Sequence, residues 1–363
     1  MKSTIWIFSL EPISTRYTEQ WHSHVPALLK NKLGDRFNVV QIDGVQKNSQ
    51  LTPGAFLNFS DTNYWKSAQM CAFLEQHNQG KTGPNDHFIF TDAWNPTVIQ
   101  LKYMSDLLGF NWTLHGLWHA GSYDPQDFLG RLVGDESWVR SAEASFFYAF
   151  DYNHFATDFH IDMFAENLLR LQPSTVRACY MNEEYTKIVR TGWPMEYMNG
   201  TLTGYKNMQK RDLILFPHRI APEKQVEIFR DLKEQLPQYE FVVCQDQQLT
   251  KNEYHNLLGE SKIVFSANLQ ETLGISCYEG AIVDAIPMVP DRLSYTEMYY
   301  EGFKYPSKWT EDWNSYMQHR QELCHHIIVT MTHYEKRLPQ LRKQTEDLTA
   351  QFFSASKLLE MIK

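Results

Sequence analysis

The sequence contains little cysteine and no long apolar run. Its five cysteines, at positions 71, 179, 244, 277 and 324, are odd in number and include no CxxC pair, which excludes a disulfide framework and a thiolate metal site. No stretch approaches the ~18 apolar residues of a membrane-spanning helix. The apolar run near the amino terminus ends before Glu11 and Pro12, too early for a secretory signal. The sequence therefore predicts a cytoplasmic protein without membrane insertion.

An excess of positive charge is also absent. The chain has 34 lysines and arginines against 43 aspartates and glutamates, for a formal net charge of −9 at pH 7. This balance excludes the basic field that would collect nucleic acid or anionic lipid over the whole surface, but it is compatible with a local basic patch.

Aromatic residues, in contrast, are abundant. They make up 14% of a chain of 363 residues that is 43% hydrophobic and 21% charged, a composition typical of packed globular proteins of about two domains. Core packing explains most aromatic side chains. The alternative is a stacking surface for a ligand, for which the candidates are Tyr64, Trp65, Trp94, Trp112 and Trp118.

Short strands alternate with amphipathic helices in the first half. The patterns predict strands over 3–10, 37–42, 87–91, 111–115 and 144–150, and helices over 21–32, 64–79, 96–108 and 158–171. A polar loop is predicted over 11–19, and a further short helix between Cys179 and Glu184. Strands separated by single helices indicate a parallel, doubly wound sheet, whose ligands bind beyond the carboxyl ends of the strands.

The same alternation restarts in the second half, after a linker predicted over 197–210. Strands are predicted over 212–216, 240–244, 263–266 and 286–289, and helices over 222–234, 251–258, 274–285 and through a tail over 313–363. The predicted fold is α/β, with two Rossmann-like domains and a cleft between them. The domains cover residues 1–195 and 196–340, and a helical tail over 341–363 packs back on the first domain.

Two cations follow the first strand of the second half. Arg219 and Lys224 lie on either side of the predicted start of a helix, where a forked guanidinium, a compact ammonium and the helix end together suit a diphosphate. The alternative is that Arg219 caps a loop and Lys224 is a solvated helix residue.

Two glutamates with a glycine between them follow about fifty residues later. On a helix beginning near Leu273, Gly274 lets backbone amides approach a phosphate, and Glu279 lies two turns deeper on the same face. Glu271, outside the helix, is placed to meet a sugar. The alternatives are a first-turn acid that favours the helix dipole for Glu271 and a solvated position for Glu279.

This combination, R-x4-K followed by E-x7-E and AIVDAIPMVP, resembles the donor-binding domain of retaining GT-B glycosyltransferases of the family 4 type over about residues 189–300. The resemblance implies a nucleoside-diphosphate sugar as the donor, with UDP as the favoured nucleotide. It implies that Arg219 and Lys224 bind the diphosphate, Glu279 the ribose and Glu271 the transferred sugar. The backbone amides of Thr272, Leu273 and Gly274 then lie beside the donor.

The chemistry these residues support is stabilisation of a diphosphate leaving group, without a protein nucleophile. The sequence has no Asp-x-Asp pair, which disfavours a metal-dependent transferase, and we expect no metal requirement and no permanently bound cofactor. Pro217 and His218 depart from the family pattern, which usually has glycine there.

The N-terminal domain is predicted to bind the acceptor. His115 and His119 follow a predicted strand, Asp92 ends another, and Arg16 lies in the first loop beside Tyr17. His119 is also a candidate catalytic residue. The alternatives are local hydrogen bonding for the histidines and an Asx turn for Asp92.

The acceptor itself is indicated only by a looser resemblance, to glycosyltransferases of tailed bacteriophages that modify hydroxymethylcytosine in DNA. It implies double-stranded DNA as a partner and the host cytoplasm as the location. The strip expected to follow DNA phosphates comprises Lys187, Arg190, Lys206, Lys210 and Arg211, with a solvated linker as the alternative. The sequence also leaves open a lipid or polysaccharide acceptor, a nucleotide-sugar epimerase and a non-catalytic sugar-nucleotide-binding protein.

Overall fold

A computed structural model describes residues 2–13, 16–47, 49–50 and 58–362. Its strands are β1 (Thr4–Phe8), β2 (Asn38–Ile42), β3 (His87–Phe90), β4 (Thr113–Leu117), β5 (Tyr152–Phe155), β6 (Ile188–Arg190), β7 (Leu213–Phe216), β8 (Glu240–Val243), β9 (Ile263–Phe265), β10 (Ile286–Pro290) and β11 (Lys304–Tyr305). Its α-helices are α1 (Tyr17–Leu33), α2 (Phe59–Asn78), α3 (Thr97–Leu108), α4 (Phe128–Val133), α5 (Ser137–Ala149), α6 (Asp158–Phe164), α7 (Pro173–Tyr180), α8 (Tyr197–Leu202), α9 (Val226–Gln235), α10 (Lys251–Glu260), α11 (Ile275–Ile282), α12 (Tyr295–Met298), α13 (Trp313–Thr332), α14 (Tyr334–Phe352) and α15 (Ser356–Met361).

The chain divides into two compact units. Residues 1–195 and 355–363 form the first, and residues 196–354 form the second. Of the residues predicted to form a tail over 341–363, those up to 354 belong to the second unit, and only 355–363, with α15, belong to the first.

The first unit is built on six parallel strands in the order β2-β1-β3-β4-β5-β6. One face of this sheet is strongly aromatic, because the register pairs Trp6 with Phe88 and Phe8 with Phe90 across β1 and β3. Phe73 of α2 packs edge-on against Trp6 and Phe88. Because a parallel sheet is covered on both faces, its side chains are buried. Many of the abundant aromatic residues therefore lie in this core.

The core also takes up three of the five aromatic residues considered as stacking surfaces. Trp65, Trp112 and Trp118 are only 3%, 4% and 0% exposed. Trp94 is half-buried and Tyr64 is exposed, so these two keep accessible ring surface.

The second unit repeats the design with five parallel strands in the order β11-β10-β9-β7-β8. Its core joins Phe216 of β7, Phe229 of α9 and Phe265 of β9. Helix α13 covers this core with Tyr316 and Leu323, which are fully buried. The predicted fold class of two Rossmann-like units with C-terminal helices is confirmed.

The strand predicted over 144–150 is wrong, because these residues form the last turns of α5. Val139, Glu143, Phe146 and Phe147 are its buried residues, at helical spacing. A short, continuous apolar run does not distinguish a buried strand from a buried helix. The neighbouring strand is β5, which begins after the run at Tyr152.

Several predicted boundaries are shifted or wrong. The helix placed between residues 179 and 184 is α7, which ends at Tyr180. The linker predicted over 197–210 begins with helix α8 and a 3-10 turn, Thr203–Tyr205. The strand predicted over 111–115 is β4, which runs on to Leu117. In the predicted loop 11–19, α1 already begins at Tyr17, and residues 14 and 15 lie outside the described ranges.

Within those ranges, no helix combines the length and the apolar composition needed to cross a membrane.

Candidate functional site

The two predicted diphosphate-binding cations lie in the segment after β7. The helix predicted from Pro222 begins only at Val226, because Pro222–Lys224 form a 3-10 turn and Gln225 follows with a left-handed φ of 52°. Arg219 and Lys224 therefore both precede α9 and belong to the connection that leaves the carboxyl end of the strand.

Arg219 is held by a carboxylate that the sequence patterns did not indicate. Its Nε donates to Glu223 Oε1 at 3.0 Å, and its Nη2 donates to the same oxygen. The Glu223 side chain is fully buried, whereas that of Arg219 is 31% exposed. The pair fixes the plane of the guanidinium while part of the cation remains accessible. An i, i+4 acid is the only signal in the sequence that could have suggested it.

Lys224 is buried, which excludes the solvated helix residue considered as its alternative. Its Nζ donates to the backbone oxygen of Gln270 at 2.6 Å and lies 3.6 Å from Glu271 Oε2. The contact ties the connection after β7 to the loop after β9. The sequence places these segments about fifty residues apart, and the parallel sheet brings them together.

Glu271 caps the loop that leads into α11. Its Oε1 accepts from the backbone N–H groups of Thr272 (3.1 Å) and Leu273 (3.3 Å), and its Oε2 lies 3.4 Å from the Asn268 amide. Burial acts to raise the pKa of Glu271, but Lys224 and the loop amides together hold this pKa below its usual value. Two of the three amides predicted to lie beside the donor, those of Thr272 and Leu273, are therefore bonded to Glu271.

Gly274 makes the turn between this loop and α11. Its φ is 72°, in the left-handed region, and an added Cβ would lie 2.7 Å from Cε1 of Tyr295. The Tyr295 hydroxyl lies 3.1 Å from Ser266 Oγ and accepts from Asn268 Nδ2 at 3.1 Å. Tyr295 thus packs against the loop and holds it through Ser266 and Asn268. Only glycine combines a left-handed φ with so close an approach to the Tyr295 ring.

We expect Gly274→Ala to destabilise the second unit by about 2–4 kcal/mol, because left-handed strain and the clash with Tyr295 add. Urea unfolding measures the change. Gly109→Ala is the matched control, since Gly109 has a φ of 66° and no atom within 4 Å of an added Cβ. Strain alone predicts about 1 kcal/mol there. Equal losses in the two variants would contradict the close approach to Tyr295.

Glu279 lies in α11 and contacts the neighbouring helix α10. Its Oε2 accepts a hydrogen bond from the Tyr254 hydroxyl at 2.8 Å. Burial raises the pKa of Glu279, and the bond from Tyr254 opposes that rise. The fully solvated position considered as an alternative is therefore wrong, and Tyr254 is a site residue that no pattern in the sequence indicates.

His218 joins the connection after β7 to the first turn of α11. Its ring is buried, and its Nδ1 lies 3.3 Å from Ser276 Oγ. Burial, and then the charge of Lys224, lower the pKa of His218 to about 3, so the imidazole is neutral at physiological pH. His218 therefore adds a polar, uncharged contact in the segment that carries the cations.

In the first unit, the loop position predicted for His115 is wrong. This residue lies within β4, fully buried, in a row of three rings across β3, β4 and β5. Its Nδ1 is 3.1 Å from Nε2 of His154, and its Nε2 is 3.4 Å from Nδ1 of His87. The prediction failed because β4 extends two residues further than expected, and His115 is not available to an acceptor.

His119 does follow β4, but both of its ring nitrogens are bonded. Its Nε2 donates to the backbone oxygen of Thr91 at 2.6 Å, so its Nδ1 accepts from the Tyr17 hydroxyl at 2.8 Å. Burial lowers the pKa of His119 to about 4, although Asp92 partly opposes the shift. The ring is thus a neutral, anchored group that packs 4.1 Å from the Trp193 ring centroid.

Asp92 forms the Asx turn considered as its alternative and also an ion pair. Its Oδ1 accepts from the Trp94 backbone N–H at 3.1 Å, and its Oδ2 lies 3.1 Å from Nζ of the buried Lys66. Asp92, Arg16 and His119 line one pocket of about 110 Å³ at the carboxyl ends of β1, β3 and β4. Of the predicted acceptor residues, the structure brings these three together and leaves His115 out.

The members of the predicted DNA-phosphate strip are either bonded to backbone oxygens or paired with acids. Lys187 is buried and donates to the backbone oxygen of Tyr148 at 3.2 Å. Lys210 donates to the backbone oxygens of Ser261 (2.9 Å) and Val283 (2.7 Å), and burial lowers its pKa to about 8. The other three members pair with acids: Arg190 with Asp158, Lys206 with Asp284, and Arg211 with Glu240 and Glu260.

No group of three or more histidine, cysteine, aspartate or glutamate side chains in the described ranges has the arrangement needed to hold a metal ion. The charges of the second-unit site come from Arg219, Lys224 and the acids around them.

Two parallel-sheet Rossmann-like units are the GT-B fold. Sucrose-phosphate synthase from Thermosynechococcus elongatus has a similar structure, with 11% identity and a TM-score of 0.63 over 99% of this chain and 97% of that one. The catalytic domain of starch synthase IV from Arabidopsis thaliana, bound to ADP and acarbose, matches with 11% identity and a TM-score of 0.59 over 99% and 97%. Anabaena HepE in complex with UDP matches with 11% identity and a TM-score of 0.55 over 99% and 98%. No protein-family model and no curated protein sequence matches this chain.

Proposed function

We propose that this protein is a retaining glycosyltransferase that moves a sugar, hexose or pentose, from a nucleoside-diphosphate sugar to a hydroxyl group. The observation that carries the proposal is the cluster in the second unit. Lys224 and Glu271 meet where the segments after β7 and β9 approach each other, and Arg219 lies in the first of these segments, paired with Glu223. Open parallel sheets bind their ligands beyond the carboxyl ends of the strands, which is where this cluster lies.

Each member of the cluster, together with Glu279 of α11, has a role in this proposal. Arg219 and Lys224 bind the donor diphosphate, Glu279 the ribose, and the loop around Glu271 the transferred sugar. The anomeric carbon–oxygen bond breaks with its electron pair moving to the diphosphate, and the two cations stabilise the charge that develops there. The acceptor oxygen bonds to the anomeric carbon on the same face, and its proton passes to the departing phosphate oxygen. This route requires neither a protein nucleophile nor a metal ion.

For the acceptor, we propose the first-unit pocket that Arg16, Asp92 and His119 line. The Asp92 carboxylate is an acceptor group suited to orienting a hydroxyl. His119 is neutral and hydrogen-bonded at both nitrogens, so a positioning role suits it better than proton transfer. Hydroxymethylcytosine in DNA is the acceptor to test first, because the looser sequence resemblance names it.

The choice of nucleotides to test follows the structural neighbours. HepE was solved with UDP and starch synthase IV with ADP. We therefore expect this chain to use a UDP-sugar, with an ADP-sugar as the first comparison.

Mass spectrometry of donor incubated with and without an acceptor tests the proposal. With UDP-glucose and hydroxymethylated duplex DNA, or with lipid and polysaccharide acceptors in parallel, we expect a sugar added to one acceptor and UDP released. An isomerised donor without acceptor would instead indicate an epimerase. A donor that binds but stays unchanged with every acceptor would indicate a sugar-nucleotide-binding protein.

A further inference from the structure

Tyr254 joins α10 to the proposed ribose-binding residue. A capping box fixes where α10 begins, since Thr250 Oγ1 accepts from the Glu253 backbone N–H at 3.3 Å and Glu253 Oε2 accepts from the Thr250 backbone N–H at 2.8 Å. Tyr254 is the next residue, so its position is set by the first turn of the helix. Its hydroxyl donates to Glu279 Oε2 at 2.8 Å.

The bond from Tyr254 makes the two oxygens of the Glu279 carboxylate inequivalent. Oε2 is occupied by Tyr254, whereas Oε1 makes no hydrogen bond within the described part of the chain. Burial raises the pKa of Tyr254 well above its usual value, and the charge of Glu279 raises it further. The hydroxyl therefore keeps its proton at neutral pH and remains a donor. A carboxylate held in this way offers one fixed acceptor oxygen.

We propose that Tyr254 is a positioning residue that makes Glu279 selective for a ribose hydroxyl, so that the site prefers ribonucleoside over 2′-deoxyribonucleoside diphosphates. The inference rests on the proposed function. Glu279 already accepts a hydrogen bond from the Tyr254 hydroxyl at Oε2, and carboxylate oxygens accept hydrogen bonds, so the sugar hydroxyl must be the donor to Oε1. A 2′-deoxy ligand lacks that donor and leaves a half-buried oxygen unpaired, which is the kind of loss that gives strong discrimination.

Isothermal titration with UDP and 2′-deoxy-UDP tests this role. We expect the wild-type protein to bind UDP at least about 30-fold more tightly than 2′-deoxy-UDP, since one hydrogen bond to a charged group is lost. In Tyr254→Phe, the carboxylate is free to rotate, and we expect this ratio to fall about tenfold. The fall should come mainly from weaker binding of UDP.

Two further variants separate positioning from a structural effect. Tyr205→Phe is the matched control, because the Tyr205 hydroxyl also bonds to α10, through Asn252 Oδ1 at 2.6 Å, and its ratio should equal that of the wild type. In a Glu279→Ala background, adding Tyr254→Phe should leave the ratio unchanged, because the carboxylate on which Tyr254 acts has been removed.

The outcomes are distinct. An unchanged ratio in Tyr254→Phe, or equal losses for UDP and 2′-deoxy-UDP, would overturn the role of Tyr254 and leave the proposed function intact. A wild-type protein that binds neither UDP nor ADP nor GDP would overturn the proposed function itself.

Discussion

We expect Arg219→Ala to lower kcat/KM for the proposed nucleotide-sugar donor by about 100- to 1,000-fold, the loss expected when one preorganised charge is removed from a developing oxyanion. Arg219 is the accessible cation of the cluster, since Lys224 is buried against Gln270 and Glu271. Negative charge develops on the diphosphate in the transition state. Removing the guanidinium therefore takes away more stabilisation from the transition state than from the ground state. Steady-state kinetics with a UDP-sugar, and with the acceptor found by mass spectrometry, measure the effect.

The matched control is Arg230→Ala. Arg230 lies in α9 of the same unit and pairs with Asp246 at 3.2 Å, with both side chains about half exposed. Exposed ion pairs contribute little to stability, so this variant should keep both its activity and its melting temperature. Arg219→Ala removes the ion pair with the buried Glu223, so a modest fall in melting temperature is expected. Full activity in folded Arg219→Ala would refute the donor-site assignment.

The second large effect is loss of stability in mild acid. Burial lowers the pKa of four histidines in the first unit: His115 well below its usual value, His119 to about 4, and His154 and His160 to about 3. Each is neutral in the folded protein near pH 5 and protonated in the unfolded chain below about pH 6.5. The unfolded state therefore binds more protons, and stability is lost as the pH falls below that value.

The size of the loss follows from linkage. Between about pH 7.5 and 5, each of the three histidines with a pKa of about 3 to 4 lowers the free energy of unfolding by about 2 kcal/mol, and the three together lower it by about 6 kcal/mol. His115 acts in the same direction. The free energy of unfolding of a folded domain is commonly about 5–15 kcal/mol. A loss of this size is therefore expected to unfold the first unit near pH 5. Glu143 and Asp151, whose pKa values burial raises, act in the opposite direction as they take up protons.

Urea unfolding at a series of pH values measures this dependence, and hydrogen exchange of β3–β5 assigns it to the first unit. His160→Gln keeps an acceptor for the Tyr123 hydroxyl, which lies 2.7 Å from Nε2 of His160. It should reduce the slope of the free energy of unfolding against pH by about one proton, or about 1.4 kcal/mol per pH unit. Constant stability from pH 7.5 to 5 would disprove the assignment.

Local patterns were sufficient for most of the fold. Strands such as His87–Phe90 and Leu213–Phe216 are short apolar runs bounded by polar or turn residues, and the helices between them show helical spacing. The strand prediction for residues 144–150 failed because this run is almost entirely apolar and shows neither strand nor helix periodicity. His115 failed for a related reason, since nothing in the local sequence marks the end of β4 at Leu117.

The candidate site divides in the same way. Arg219, Lys224, Glu271 and Gly274 could be named as candidates because their residue types and spacing are themselves the signal, and their roles toward a donor stay predictions. Their partners could not, since Gln270 meets Lys224 across 46 positions, and Tyr254 meets Glu279 across 25. Such contacts depend on the order of strands in the sheet, which a local pattern does not encode.

By itself, therefore, the sequence determined the α/β alternation, the restart in the second half and the residue types suited to a diphosphate, because each depends on neighbours along the chain. The tertiary structure alone decided which charges are buried and paired, that the aromatic excess forms a core, and that Tyr254 holds Glu279. The physical reason is that burial, ion pairing and pKa shifts depend on side chains brought together by packing, whatever their separation in sequence.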